Sequence, residues 1–136
     1  MAIHPLIEQD RDYIISLRRW FHSHPELSLK EYNTAARVEE ELNAIGIPTR
    51  RVGETGVLGT IRGGRGSGRK IILRADIDAL PIQDEKTVSY ASQCPGVMHA
   101  CGHDAHTAAL LGAARALKRL EEDLLGEISL VFQPGE

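Results

Sequence analysis

The strongest constraint on this chain is the order of two short apolar runs around one long amphipathic stretch. Lys70-Ile71-Ile72-Leu73-Arg74-Ala75-Asp76 reads as a strand, and Asp104–Glu122, rich in Ala and Leu, reads as a helix. After Gly126, Ile128-Ser129-Leu130-Val131-Phe132 reads as a second strand. A strand-helix-strand order of this kind implies parallel strands and a right-handed crossover. The unbroken apolar run of 70–76 predicts burial on both faces, as at the centre of an α/β sheet. With 136 residues, 42% of them hydrophobic and 26% charged, one domain with its own core is expected and disorder is not.

Upstream, Leu6, Ile14, Leu17 and Phe21 recur at helical steps, which predicts a helix over 6–22 between Pro5 and Pro25. Ala35, Val38, Leu42 and Ile45 place a second helix over 31–45, closed by Gly46. Thr49–Val52 and Val57–Ile61 read as short strands, and 63–68 as a glycine-rich turn. Residues 77–103 carry Pro81, Pro95, Gly96 and Gly102 and look irregular, and so long a loop in a compact domain is usually functional or disordered.

Several function classes recede on these data. A formal net charge of −3 offers no basic excess for nucleic acid. No apolar run approaches the roughly 20 residues that span a bilayer, and the first residues do not read as a secretory signal. Two cysteines, Cys94 and Cys101, are too few for a disulfide scaffold, so the expectation is a cytoplasmic protein.

Open α/β sheets bind ligands beyond the carboxyl ends of their strands. Here strand 70–76 runs into Asp76-Ile77-Asp78, strand 128–132 runs into Gln133-Pro134-Gly135-Glu136, and the intervening helix starts at Gly102-His103-Asp104. The densest cluster is His99-Ala100-Cys101-Gly102-His103-Asp104-Ala105-His106, whose thiol and imidazoles are ligands that suit zinc and its neighbours. The single glycine between Cys101 and His103 lets the backbone turn both side chains to one site. An isolated cysteine or histidine is more often a buried small hydrophobe, a cap or a surface group, the bland reading of Cys101, His99 and His106, but a cluster this dense ahead of the helix of a strand-helix-strand unit favours a site. Asp76 suits either a loop-capping role or the site; Asp78 is the better candidate for orienting a ligand histidine, and Glu136 for a general base.

Four ordered motifs carry a resemblance: His24-Pro25-Glu26-Leu27-Ser28, Leu73-Arg74-Ala75-Asp76-Ile77-Asp78-Ala79-Leu80-Pro81-Ile82, Met98 to Ala108, and Val131-Phe132-Gln133-Pro134-Gly135-Glu136. Together they resemble the amidohydrolase branch of the zinc aminoacylase/carboxypeptidase metallopeptidases, which includes hippurate hydrolases, N-acyl-amino-acid amidohydrolases and auxin-conjugate hydrolases. The resemblance implies a three-layer α/β/α catalytic domain with a mixed, largely parallel sheet. It implies Cys101 and His103 as metal ligands, Glu136 as general base and Asp78 as its acidic support, while His24 belongs to a structural signature and His106 is not carried over as a ligand. It implies one or two divalent ions per site, zinc first, with manganese or cobalt as alternatives. The implied substrate is a small N-acyl amino acid, cleaved at its amide by a metal-activated water, in a full-length homodimer; the charge and the lack of a long apolar run already argue against nucleic-acid and membrane partners. The family's pattern continues past Glu136 with a second, metal-binding glutamate, later ligand histidines and a lid or dimerisation domain. Residues 1–136 are therefore expected to be the N-terminal portion of a longer enzyme. The rival expectations are a thiol hydrolase with Cys101 as nucleophile and His103 or His106 as base, or an inactive binding or structural module.

Overall fold

The computed structural model describes residues 4–136. Its elements are α1 (His4–Glu8), α2 (Arg11–Ser23), α3 (Tyr32–Ala44), β1 (Thr49–Val52), β2 (Gly56–Arg62), β3 (Lys70–Asp76), α4 (His103–Arg119), a short 3-10 turn at Glu121–Asp123, and β4 (Glu127–Gln133). The helix expected over 6–22 is broken in two at Gln9-Asp10. Asp10 is the reason. Its buried carboxylate is paired with Arg115 and Arg119 of α4, and its carbonyl receives the Ile14 N–H at 2.9 Å to start α2. Such pairing across the fold cannot be read from local periodicity.

The four strands form one mixed sheet in the order β1-β2-β4-β3. β3 and β4 are parallel, with Lys70 opposite Glu127 and Asp76 opposite Gln133, as the strand-helix-strand order requires. β1–β2 and β2–β4 are antiparallel. The sheet is thus mixed as expected, and among the described residues its parallel part is the β3–β4 pair. Among the described residues β3 is an edge strand and not a central one, with Ile71 51% and Ile72 69% exposed, so residues 4–136 by themselves do not bury both of its faces.

One face of the sheet carries Val57, Ile61, Ala75, Leu130 and Phe132, which pack into a single cluster with Leu17 and Phe21 of α2, Ala35, Val38 and Leu42 of α3, and Ala108, Leu111 and Ala114 of α4. Each fully buried large side chain here contributes about 1.5–3 kcal/mol. The described residues supply the sheet and one helical layer. The irregular segment between β3 and α4 is as expected without regular structure, yet it is tied down. Leu80 and Met98 exchange backbone hydrogen bonds of 2.9 and 3.0 Å. The Asp84 carboxylate accepts the Ser92 N–H at 2.9 Å and the Lys86 N–H at 3.0 Å, and these donors, Ser92 first, hold its pKa well below the ordinary carboxylate range.

Candidate metal centre

The site lies beyond the carboxyl ends of the two parallel strands. β3 delivers Asp76 and, two residues later, Asp78; β4 delivers Gln133, whose carbonyl accepts the Ile77 N–H at 3.1 Å, and then the turn to Glu136. α4 starts between them. Its N-cap is Gly102, at φ +102°, a backbone conformation that side-chain-bearing residues rarely adopt. That turn sends Cys101 and His103 to different environments: Cys101 is exposed, His103 buried. Thr107, one turn into the helix, donates its hydroxyl to the His103 carbonyl at 2.8 Å and to the Asp76 carbonyl at 3.2 Å, fastening α4 to the end of β3.

His103 is the hub. Its Nδ1 lies 3.0 Å from Asp78 Oδ1 and 3.0 Å from the Asp78 carbonyl. Both partners only accept, so Nδ1 carries a hydrogen and Nε2 is the nitrogen turned toward Glu136. Glu136 Oε2 stands 3.1 Å from that Nε2. The other Asp78 oxygen accepts the Ser28 hydroxyl at 2.6 Å and the Glu136 backbone N–H at 3.2 Å. One buried carboxylate thus sets the orientation of an imidazole and of the glutamate backbone beside it.

Asp76, His103 and His106 each bring a donor atom within 4.8 Å of the others. His106, one helical step from His103, is on the open side of the site, with Nδ1 3.9 Å from Asp76 Oδ2, while Asp76 also pairs with Arg74. Cys101 does not join this group among the described residues. An oxygen-and-imidazole set with its key tautomer fixed by a carboxylate fits a divalent cation. His99 adds a second sign of an incomplete polar site: it is 4% exposed, and neither ring nitrogen has a partner. Desolvation lowers its pKa to about 4, so the ring is neutral at physiological pH. The burial of His99 excludes the bland alternative of a surface residue.

A buried network stands behind this layer. His22 Nδ1 lies 2.7 Å from Asp104 Oδ2, Arg18 Nε lies 3.0 Å from the same oxygen, and His22 Nε2 lies 3.4 Å from Asp84 Oδ2. It joins α2, the first turn of α4 and the 77–102 segment. Sequence spacing does not reveal it, because His22 sits 82 residues from Asp104. His24 is structural, stacked on Trp20 at 4.4 Å with Nδ1 2.8 Å from the Trp20 carbonyl.

Residues 72–136 match the Peptidase family M20/M25/M40. The chain is 46% identical over 132 residues to the N-acyl-L-amino acid amidohydrolase of Geobacillus stearothermophilus, covering 96% of this chain and 35% of that protein. It is 46% identical over 132 residues to thermostable carboxypeptidase 1 of Saccharolobus solfataricus, covering 96% of this chain and 33% of that one. The fold superposes with a TM-score of 0.90, at 41% identity, on the crystal structure of the Bacillus subtilis YXEP protein, described as a dinuclear metal-binding peptidase of the M20 family, over 95% of this chain and 36% of that one. The chain spans about a third of the length of the relatives it matches. Among the described residues, no helix is long and apolar enough to cross a membrane.

Proposed function

We propose, from the match of residues 72–136 to the Peptidase family M20/M25/M40, that this chain is the N-terminal portion of the catalytic domain of a metal-dependent hydrolase cleaving the amide bond of N-acyl amino acids. The observation that carries this reading is the Asp78–His103–Glu136 line: an imidazole held through Nδ1, with a carboxylate oxygen 3.1 Å from its Nε2. The name of the Geobacillus relative supports the N-acyl substrate class.

Asp76, His103 and His106 are the residues whose donor atoms would hold an ion, and the family resemblance adds Cys101, which is exposed and outside that group among the described residues. When bound, a divalent ion supplies Lewis acidity toward the amide carbonyl and brings a water's pKa toward neutrality. Glu136 removes the proton from the attacking water and delivers it to the leaving nitrogen as the amide bond breaks. Asp78 keeps the His103 tautomer fixed throughout and holds the Glu136 backbone. The family resemblance extends the reading to zinc first, manganese or cobalt next, one or two ions per site, and a homodimer, and the low cysteine count adds a cytoplasmic location.

The test is Glu136→Gln. Titrated with Co2+ or Zn2+, the variant should bind as the parent does, because the substitution leaves His103 and its Asp78 partner in place. Hydrolysis of an N-acetyl or N-benzoyl amino acid should fall by about 10²–10⁴-fold, the usual contribution of a positioned acid–base group. Near-parental turnover would reject the base assignment, and activity that survives chelation would reject the metal.

A further inference from the structure

Glu31 is fully buried, and the chemistry above does not use it. Burying a carboxylate is expensive unless every lone pair finds a donor. Its Oε2 accepts the Thr55 hydroxyl at 2.8 Å, and its Oε1 accepts the Gly135 backbone N–H at 3.0 Å. One side chain thus joins the start of α3, the β1–β2 turn and the tail of β4. We propose that Glu31 is a positioning residue for Glu136: it clamps the peptide immediately before the general base. The inference rests on the reading of Glu136 given above.

The neighbouring residues make the clamp stiff. Glu26 caps α3, with Oε1 accepting the Thr34 N–H at 2.6 Å and Oε2 the Asn33 N–H at 3.1 Å. The Glu26 carbonyl accepts the Ala79 N–H at 2.8 Å, which fixes the segment against the Asp78 side of the site. Ser28 then donates to Asp78 at 2.6 Å. Gly135 lies flush on this strap at φ +62°, where an added Cβ would stand 2.8 Å from Leu29 Cδ2. Two successive amides, of Gly135 and Glu136, therefore end on the carboxylates of Glu31 and Asp78. The Glu136 side chain itself is 58% exposed, so its aim at His103 Nε2 is set chiefly through its backbone. A displacement near 1 Å at a reacting group costs up to about 10²-fold in rate.

The test compares Glu31→Ala with Glu31→Gln, whose amide carbonyl still accepts the Gly135 N–H. Amide hydrogen exchange at Gly135 should accelerate about tenfold or more in Glu31→Ala and stay within about threefold in Glu31→Gln, with Leu130 and Phe132 unchanged in both. With an N-acyl amino acid, Glu31→Ala should lose about tenfold or more in kcat at constant KM, and Glu31→Gln should restore it. Unchanged Gly135 exchange in folded Glu31→Ala, or a Gln variant as damaged as the Ala one, overturns the proposal. Should Glu31→Ala not fold, Thr55→Val, which removes only the hydroxyl on Oε2, should still speed Gly135 exchange about threefold, and no change there overturns it equally. Failure of the base reading looks different: Glu136→Gln would keep its turnover while the Gly135 amide still answers to Glu31.

Discussion

Asp78→Asn isolates what a carboxylate contributes at the centre of this site. The substitution preserves shape and removes charge. In the parent, Asp78 Oδ1 and the Asp78 carbonyl share the His103 Nδ1 hydrogen, each at 3.0 Å, and Oδ2 takes Ser28 Oγ and the Glu136 N–H. An asparagine can keep its oxygen on His103, but its NH2 then meets the Glu136 N–H, a donor against a donor. The alternative flip puts NH2 on Nδ1 and leaves only the carbonyl to hold the tautomer. Either way one of three hydrogen bonds is lost and the rest lose their charge assistance, each bond being worth about 1.5–3 kcal/mol with an ionised acceptor and about half that without. Ser28 and Glu136 are exposed enough for water to replace part of the loss, so folding stability should fall by only about 1–2 kcal/mol. The effect on the imidazole should be larger in kind: Co2+ affinity should fall about 10–100-fold, the usual consequence of removing a partner behind a ligand histidine. The assay is a competition titration against a chelating dye, run beside a urea melt. Unchanged affinity in a folded Asp78→Asn variant would mean that the backbone carbonyl alone orients His103, and the argument for Asp78 would fail.

Two other perturbations probe the support of the site. Asp104→Ala leaves His22 buried without its 2.7 Å partner and Arg18 without its 3.0 Å one; since Arg18 is partly exposed, the expected loss is about 2–4 kcal/mol in a denaturant melt, and a loss under about 0.5 kcal/mol would show the network to be dispensable. Asp10 has its pKa lowered from 3.8, first by hydrogen bonding to Arg119. A depressed carboxylate contributes stability that is complete above the unfolded value and is lost as pH falls through the folded one. Asp10→Asn should therefore be less stable than the parent at pH 7, and the gap should close as pH drops below 3.8; a gap independent of pH would refute the pairing as its cause.

Local signals were legible where local physics decides. The boundaries of β1 and β3 coincide with the runs 49–52 and 70–76, and α3 with the Ala35-Val38-Leu42 stripe. The parallel β3–β4 pair followed from strand-helix-strand order, and the gathering of Asp78, His103 and Glu136 from the rule that sites lie beyond strand ends. What escaped was held by partners remote in sequence. The break at Asp10 depends on Arg115 and Arg119, the burial of His99 on how the 77–102 segment folds back, and the place of His22 on Asp84 and Asp104. In the sequence Glu31 is no more than the first residue of the 31–45 helix; the approach of Gly135 from 104 residues away gives it a second role.

For residues 4–136 by themselves, the edge position of β3 also bears on behaviour at high concentration. In that polypeptide, an edge strand with Ile71 and Ile72 open to solvent invites another copy to anneal, by the route that leads to aggregation. Lys70 and Arg74 bracket those two isoleucines at equal distances from Ile72. In-register parallel annealing sets lysine on lysine and arginine on arginine about 4.8 Å apart, and antiparallel annealing centred on Ile72 sets each lysine against an arginine. Cation meets cation in both, so this strand carries its own gatekeepers, and raising the salt concentration weakens their guard.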